Sequence, residues 1–274
     1  MDLNTINAIE RPRDRGGLCA FAEGDAWLAG GTWLFSEPQP RLRRLIDLTS
    51  LGWEPLKVDE IGLSIAATCT IATLDAFEPP AAWVAAELIG LCCRSFLASF
   101  KIWNTATVGG NLCMALPAGP MISLAVALDG VCTIWTPDGG ERDVPALDFV
   151  KGPLENALRP GEVLRSLALP RVALMRRTAF RRISLTPLGR SGALLIGTLS
   201  ADGGFTLTVT AATRRPVQLA FATVPSSAAL RDRLQAEIPD GIYYDDVHGQ
   251  PDWRRHMTLE FGEEIRREFA EGRT

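Results

Sequence analysis

The sequence predicts an α+β protein built from two to three packed units, with an antiparallel sheet in its last third. Three observations carry this. The chain has 274 residues, 47% hydrophobic and 22% charged, which is enough to give each unit its own core. Glycine pairs at Gly30-Gly31 and Gly109-Gly110 interrupt otherwise apolar stretches. Past Pro170 the texture changes to strands divided by polar turns, the pattern of a separate α+β unit.

Taken in order, an apolar strand over 26–29 runs into Gly30, and Leu45-Ile46-Asp47-Leu48 forms a second strand behind Arg41, Arg43 and Arg44. Together they predict a small α/β unit ending near Trp53. GLSIAAT, from Gly62, alternates as a half-buried strand does, and Thr70 then caps a short helix over 71–77. Pro79 and Pro80 open a longer helical stretch to about Phe100, with Gly90 as a dividing point. Gly109 and Gly110 read as a turn. Pro120 before the apolar run 121–128, and Gly130 after it, mark a helix with no polar face, hence a buried one. A hairpin over 131–136 and 141–144 turns at Pro137-Asp138-Gly139-Gly140, and a strand follows over 163–169. Strands over 193–199, 205–210 and 217–222 form a meander, followed by helices over 227–236 and 253–268.

Charge and composition exclude several functions. A net charge of -4 and a pI near 5.4 give no global field for nucleic acid or an anionic membrane, so an anionic ligand must be held locally. No stretch reaches the roughly 20 apolar residues of a membrane span, and the charged N-terminus is not a signal peptide, so the expected compartment is the cytoplasm. Cys19, Cys69, Cys92, Cys93, Cys113 and Cys132 form no CxxC spacing and read as buried apolar thiols rather than metal ligands. His248 and His256, the two histidines, sit in the polar C-terminal region, and no serine lies in a GxSxG elbow, so no nucleophile and base pair is expected. Trp27, Trp53, Trp83 and Trp135 suit core or subunit-interface positions. The arginine pairs 176–177, 181–182 and 214–215 read as solvated surface charge, or as groups that dock a partner or hold phosphate.

The glycine pairs are the candidate site. Leu28-Ala29-Gly30-Gly31-Thr32-Trp33 follows a strand, and glycines there can turn successive amides into one concavity that holds phosphate without a lysine. Alone, such a pair reads first as a plain tight turn. Thr107-Val108-Gly109-Gly110-Asn111 repeats the logic and adds a hydroxyl and an amide side chain, with the N-terminus of the buried helix just beyond. Neither segment is a GxGxxG or Walker fingerprint, so a nicotinamide-binding Rossmann domain is disfavoured. Two loops from different units could clasp one extended diphosphate. On that reading a valine at Gly110 would occupy ligand space and resist positive φ.

At these residues the sequence resembles the FAD-binding medium subunits of the xanthine dehydrogenase and carbon monoxide dehydrogenase family, the molybdenum hydroxylases. Ala29-Gly30-Gly31-Thr32-Trp33-Leu34 is similar to the family's AGGTDL-like loop, and 103–111 followed by Pro117 is similar to its RNxATIGGN-like segment and SPxxD. Leu45-Ile46-Asp47-Leu48 resembles a VIDL strand, 65–74 an IGAxTTLxEL segment, and Trp253-Arg254-Arg255-His256 a Tyr-Arg motif opening the last helix. Glu162-Val163-Leu164 resembles a segment whose leucine packs near the flavin, and Phe180-Arg181 a Phe-Lys pair whose basic residue lies near the cofactor.

The resemblance implies a vanillyl-alcohol-oxidase-like FAD-binding domain over 1–172, with subdomains of about 1–54 and 55–172, and a C-terminal domain over 173–274. It implies FAD held by Leu28, Ala29, Gly30, Gly31, Thr32, Trp33, Thr107, Val108, Gly109, Gly110 and Asn111, with Leu164 and Arg181 beside it. It also implies a large molybdopterin subunit and a small [2Fe-2S] subunit as partners, in a dimer of heterotrimers that relays electrons through FAD to an external acceptor. Pro120 stands where the family has an aspartate, Trp33 where it has a small or acidic residue, Trp103 in place of an arginine, and Arg190-Ser191 where many members are acidic. The alternative is a scaffold subunit of the same complex that has lost functional FAD binding.

Overall fold

The structure is a computed structural model that describes residues 3–18 and 21–272; Cys19, one of the cysteines read as buried, lies outside them. The N-terminal strands β1 (Ala8–Glu10), β2 (Asp25–Leu28) and β3 (Arg44–Asp47) form a parallel sheet in the order β1-β3-β2. Its central strand buries Leu45 and Ile46. β1 was not among the expected strands, because Ala8-Ile9-Glu10 is too short and exposed to show alternation.

The second layer is a five-stranded sheet in the order β4-β5-β10-β6-β7, from β4 (Leu56–Val58), β5 (Gly62–Ala66), β6 (Val131–Trp135), β7 (Glu141–Pro145) and β10 (Val163–Pro170). Helices cover it: α1 (Ile71–Asp75), α2 (Glu87–Ser95), α3 (Phe100–Trp103), α4 (Val108–Met114) and α5 (Pro120–Ala127). Between β7 and β10 lie α6 (Ala146–Phe149) and the small ladder of β8 (Val150–Gly152) and β9 (Glu155–Asn156). Thr70 caps α1 as expected, its hydroxyl accepting from Thr73 N. The long helix expected from Pro79 is a correction. Its first part is turn and a 3-10 segment (Val84–Ala86), α2 begins only at Glu87, Gly90 lies inside α2 without dividing it, and the chain breaks at Phe96 before α3.

After α7 (Arg171–Leu174), β11 (Arg177–Ile183), β12 (Ala193–Leu199), β13 (Phe205–Thr210) and β14 (Val217–Phe221) form an antiparallel meander backed by α8 (Ser227–Glu237) and α9 (Pro251–Ala270). β11 was not expected, because Arg177, Arg181 and Arg182 hide its alternation. These arginines are committed within the chain rather than free for a partner. Arg177 lies over the Phe269 ring, Arg181 pairs with Glu264 and Glu268 of α9, and Arg176 pairs with Asp129.

Helix α5 is buried along its whole length, as its lack of a polar face predicts, and it faces both halves of the chain. Ser123 Oγ meets Thr210 Oγ1 at 2.7 Å, and Gln218 Nε2 donates to Val126 O at 2.9 Å. The parallel sheet is tied to the second layer through aromatic and ionic contacts. Trp27 Nε1 donates to Glu162 O at 2.9 Å, and the Trp53 and Trp135 rings meet edge to face at 5.4 Å with the Arg165 guanidinium over Trp53. Trp83 is buried in the main core.

Beside that junction the Glu162 carboxylate, 3% exposed, accepts two bonds from Arg142, at 2.9 and 2.6 Å, and one from Arg159 N. The Arg142 guanidinium holds the Glu162 carboxyl below its usual range. A depressed carboxyl contributes stability above its unfolded value, about pH 4.3, and loses it as pH falls through the lower folded value. Glu162→Gln is therefore expected to be less stable than the parent near neutrality, and the gap should close as the solution is acidified below about pH 4.3. Denaturant midpoints measured across that range check this.

Candidate functional site

The two glycine segments converge on one cleft. A cavity of about 570 Å³, within the size range of small-molecule sites, is lined by Ala29, Gly30, Gly31, Thr32, Trp33, Thr107, Gly110 and Asn111 of the expected residues. Phe96, Leu97, Ile102, Met114, Leu116 and Pro120 supply apolar wall, and the loop between β11 and β12 adds Arg190 and Ser191.

Apposition of the segments depends on Gly30. A Cβ there would lie 1.9 Å from Thr105 O, so only glycine lets this backbone reach the segment that leads into α4. Gly31 takes φ +68°, the left-handed region, and starts a turn closed by Phe35 N donating to Gly31 O at 2.8 Å. The amides of Gly30, Gly31, Thr32, Trp33 and Leu34 donate to no group among the described residues. This is a run of uncommitted donors at the edge of a concavity, the arrangement that holds an anion by backbone alone.

The second segment works differently from its sequence reading. Val108, Gly109 and Gly110 are the first turn of α4, and neither glycine has a positive φ. Their amides are already committed. Val108 N donates to Cys69 O and Gly109 N to Ala67 O, each at 2.9 Å, while Gly110 N donates to the Thr107 cap at 3.0 Å and Asn111 N to Thr107 O at 3.0 Å. Gly109 is glycine for packing, since a Cβ would lie 2.5 Å from that of Ala67. What this segment offers the cleft is side chain: the Thr107 hydroxyl and the Asn111 Nδ2. Asn111 Oδ1 accepts from Met121 N at 3.0 Å, which also commits the first amide behind Pro120 in α5. The N-terminus of α5 is thus not the free anion site its sequence proposed.

Other expected positions lie outside the cavity lining. Leu28 ends β2, Val108 is buried, and Leu164 sits in the main core at 2% exposure. Arg181 faces α9, with Nε 2.8 Å from Glu264 and Nη2 2.7 Å from Glu268. The residue on the Phe180 side of the strand is Arg182, which bonds Gly189 O and Ser191 Oγ. Strand alternation, had β11 been recognised, would have separated 181 from 182. Cys113 also lines the cleft, and burial pushes its thiol up to about 12, so it stays protonated and unreactive.

Comparison with known proteins gives the family. Residues 17–172 match the family described as the FAD binding domain in molybdopterin dehydrogenase. The chain is 31% identical over 121 residues to a xanthine dehydrogenase of Oryza sativa subsp. japonica, a stretch covering 42% of this chain and 9% of that protein. It is 34% identical over 74 residues to the caffeine dehydrogenase subunit beta of Pseudomonas sp. (strain CBB1), covering 27% of this chain and 25% of that one. The matched stretches therefore span a quarter or less of these relatives' own lengths. Among solved structures, quinoline 2-oxidoreductase from Pseudomonas putida 86 aligns with TM-score 0.80 and 19% identity over 99% of both chains. Carbon monoxide dehydrogenase from Hydrogenophaga pseudoflava aligns with TM-score 0.78 and 18% identity over 95% of this chain and 96% of that one. No helix among the described residues is long and apolar enough to cross a membrane.

Packing at Gly109 gives a direct test. Gly109→Ala forces a methyl against the Ala67 backbone and should cost about 1–3 kcal/mol. Gly110→Ala, which meets only the Thr107 hydroxyl at 2.9 Å, should cost less. Urea denaturation of the two variants would rank them, and equal stability would remove the distinction.

Proposed function

Because the chain belongs to the family of FAD binding domains in molybdopterin dehydrogenases, we propose that this cleft holds the FAD and that the chain is the electron-transfer subunit of a molybdenum hydroxylase complex. The partners are a large molybdopterin subunit and a small [2Fe-2S] subunit, in a cytoplasmic dimer of heterotrimers. Electrons from the small subunit's clusters pass through this chain to an external acceptor.

The observation that carries the reading is the run of uncommitted amides from Gly30 to Leu34 on the wall of a largely apolar cleft. Those amides would hold the diphosphate with partial positive charge and no lysine, which suits a chain of net charge -4. The Thr107 hydroxyl and Asn111 Nδ2 would bond ribityl or phosphate oxygens. Phe96, Leu97, Ile102, Met114 and Leu116 would offer apolar surface to the ring systems and exclude water from them. Bound FAD supplies the redox chemistry, and the protein supplies position and electrostatics. Ala29 and Trp33 complete the first loop's contacts. Leu28, Val108 and Gly109 belong to the two segments without lining the cavity, Leu164 belongs to the main core, and Arg181 braces β11 on α9.

A second reading, a scaffold subunit without functional FAD, is favoured by Pro120. This position lines the cleft without a carboxylate, and the one acidic residue in the lining among the described residues is Glu37, which is exposed. The visible spectrum of the purified chain separates the two. The electron-transfer reading expects the bands of oxidised flavin at close to one per chain, and the scaffold reading expects none. Gly30→Val, which places branched carbon against Thr105 O, should lower flavin occupancy by about tenfold or more. Copurification from the native source with a molybdenum-containing and an iron-sulfur chain tests the partners.

A further inference from the structure

The loop between β11 and β12 presents one cation to the cleft and fixes its backbone from both sides. Arg182 Nη2 donates to Gly189 O at 2.6 Å and its Nε to Ser191 Oγ at 2.7 Å. From the other side Arg254, 1% exposed, donates through Nη1 to Gly192 O at 2.7 Å. Gly189 N closes the turn on Thr186 O at 2.9 Å. Among the described residues Arg190, between the clamped residues, makes no ion pair or hydrogen bond, and no other lysine or arginine lines the cavity. Two guanidiniums thus order the backbone around Arg190, an exposed residue that lines the cleft.

The diphosphate already has donors in the first loop. The other place where an FAD acquires negative charge is its ring system, when two electrons and one proton are added. A fixed positive group near the ring stabilises that added charge and is one of the means by which a protein tunes a flavin. We propose that Arg190 is a specificity-determining residue that faces the flavin ring and favours its reduced form, with Arg182 as the positioning residue that holds the loop. This inference rests on the cleft being the FAD site.

The test uses the full chain loaded with FAD and titrated with a chemical reductant. Arg190→Gln should weaken binding of reduced relative to oxidised flavin by about tenfold, read as a midpoint potential about 30 mV lower for a two-electron couple. Arg190→Lys, which keeps the charge, should retain most of the parent potential. ADP carries the diphosphate without the ring and should bind the parent and Arg190→Gln equally well. An unchanged potential in Arg190→Gln would overturn the proposal. A fall in ADP affinity in that variant would overturn it too, because the guanidinium would then belong to the diphosphate. Parent protein that takes up no FAD would defeat the functional reading instead, so the two failures are distinguishable.

Discussion

The cleft depends on one close contact, the backbone of Gly30 against the carbonyl of Thr105. A side chain of any size at that glycine would push the parallel sheet away from α4, since its Cβ would stand 1.9 Å from the oxygen. With the contact made, the end of β2 delivers a turn whose amides from Gly30 to Leu34 have no partner among the described residues, beside a helix whose first-turn amides all have one. The two segments look alike in sequence and do opposite work. One leaves its backbone donors open, and the other closes its own through the Thr107 cap and the carbonyls of Ala67 and Cys69, which makes it a rigid wall.

This difference shows what the sequence could and could not reveal. The strand behind Gly30, the buried helix after Pro120, the Pro137 hairpin and the last two helices were legible because periodicity and flanking proline or glycine agreed. The nature of Gly109 and Gly110 was not, because glycine is a poor helix former and a pair of them reads as a turn. The missing signal was Thr107, placed to cap Gly110 as Thr70 caps Thr73. Asn111 was read correctly as a polar group at the site, but half of its hydrogen-bonding capacity caps α5, a tertiary contact that no local pattern announces.

Strand β11 failed for a different reason. Its one buried residue is Ala179, and on the same face stand the half-buried stems of Arg177 and Arg181 against α9, so apolar alternation is absent. Without the strand, the two faces of the Arg181 and Arg182 pair could not be told apart, and the loop that carries Arg190 had no frame.

Helix α5 carries a consequence for the chain's modularity. The family match stops at residue 172, yet α5, inside that stretch, is sealed on one side by β12 and β13. Cutting the protein at that boundary would strip the cover from one side of a buried helix in which seven of eight residues are apolar, and expose a greasy surface to water. The last third is therefore no detachable appendage: an excised N-terminal fragment would self-associate, and any recombination that exchanged the third sheet would have to bring a matching cover for Ser123 and Val126.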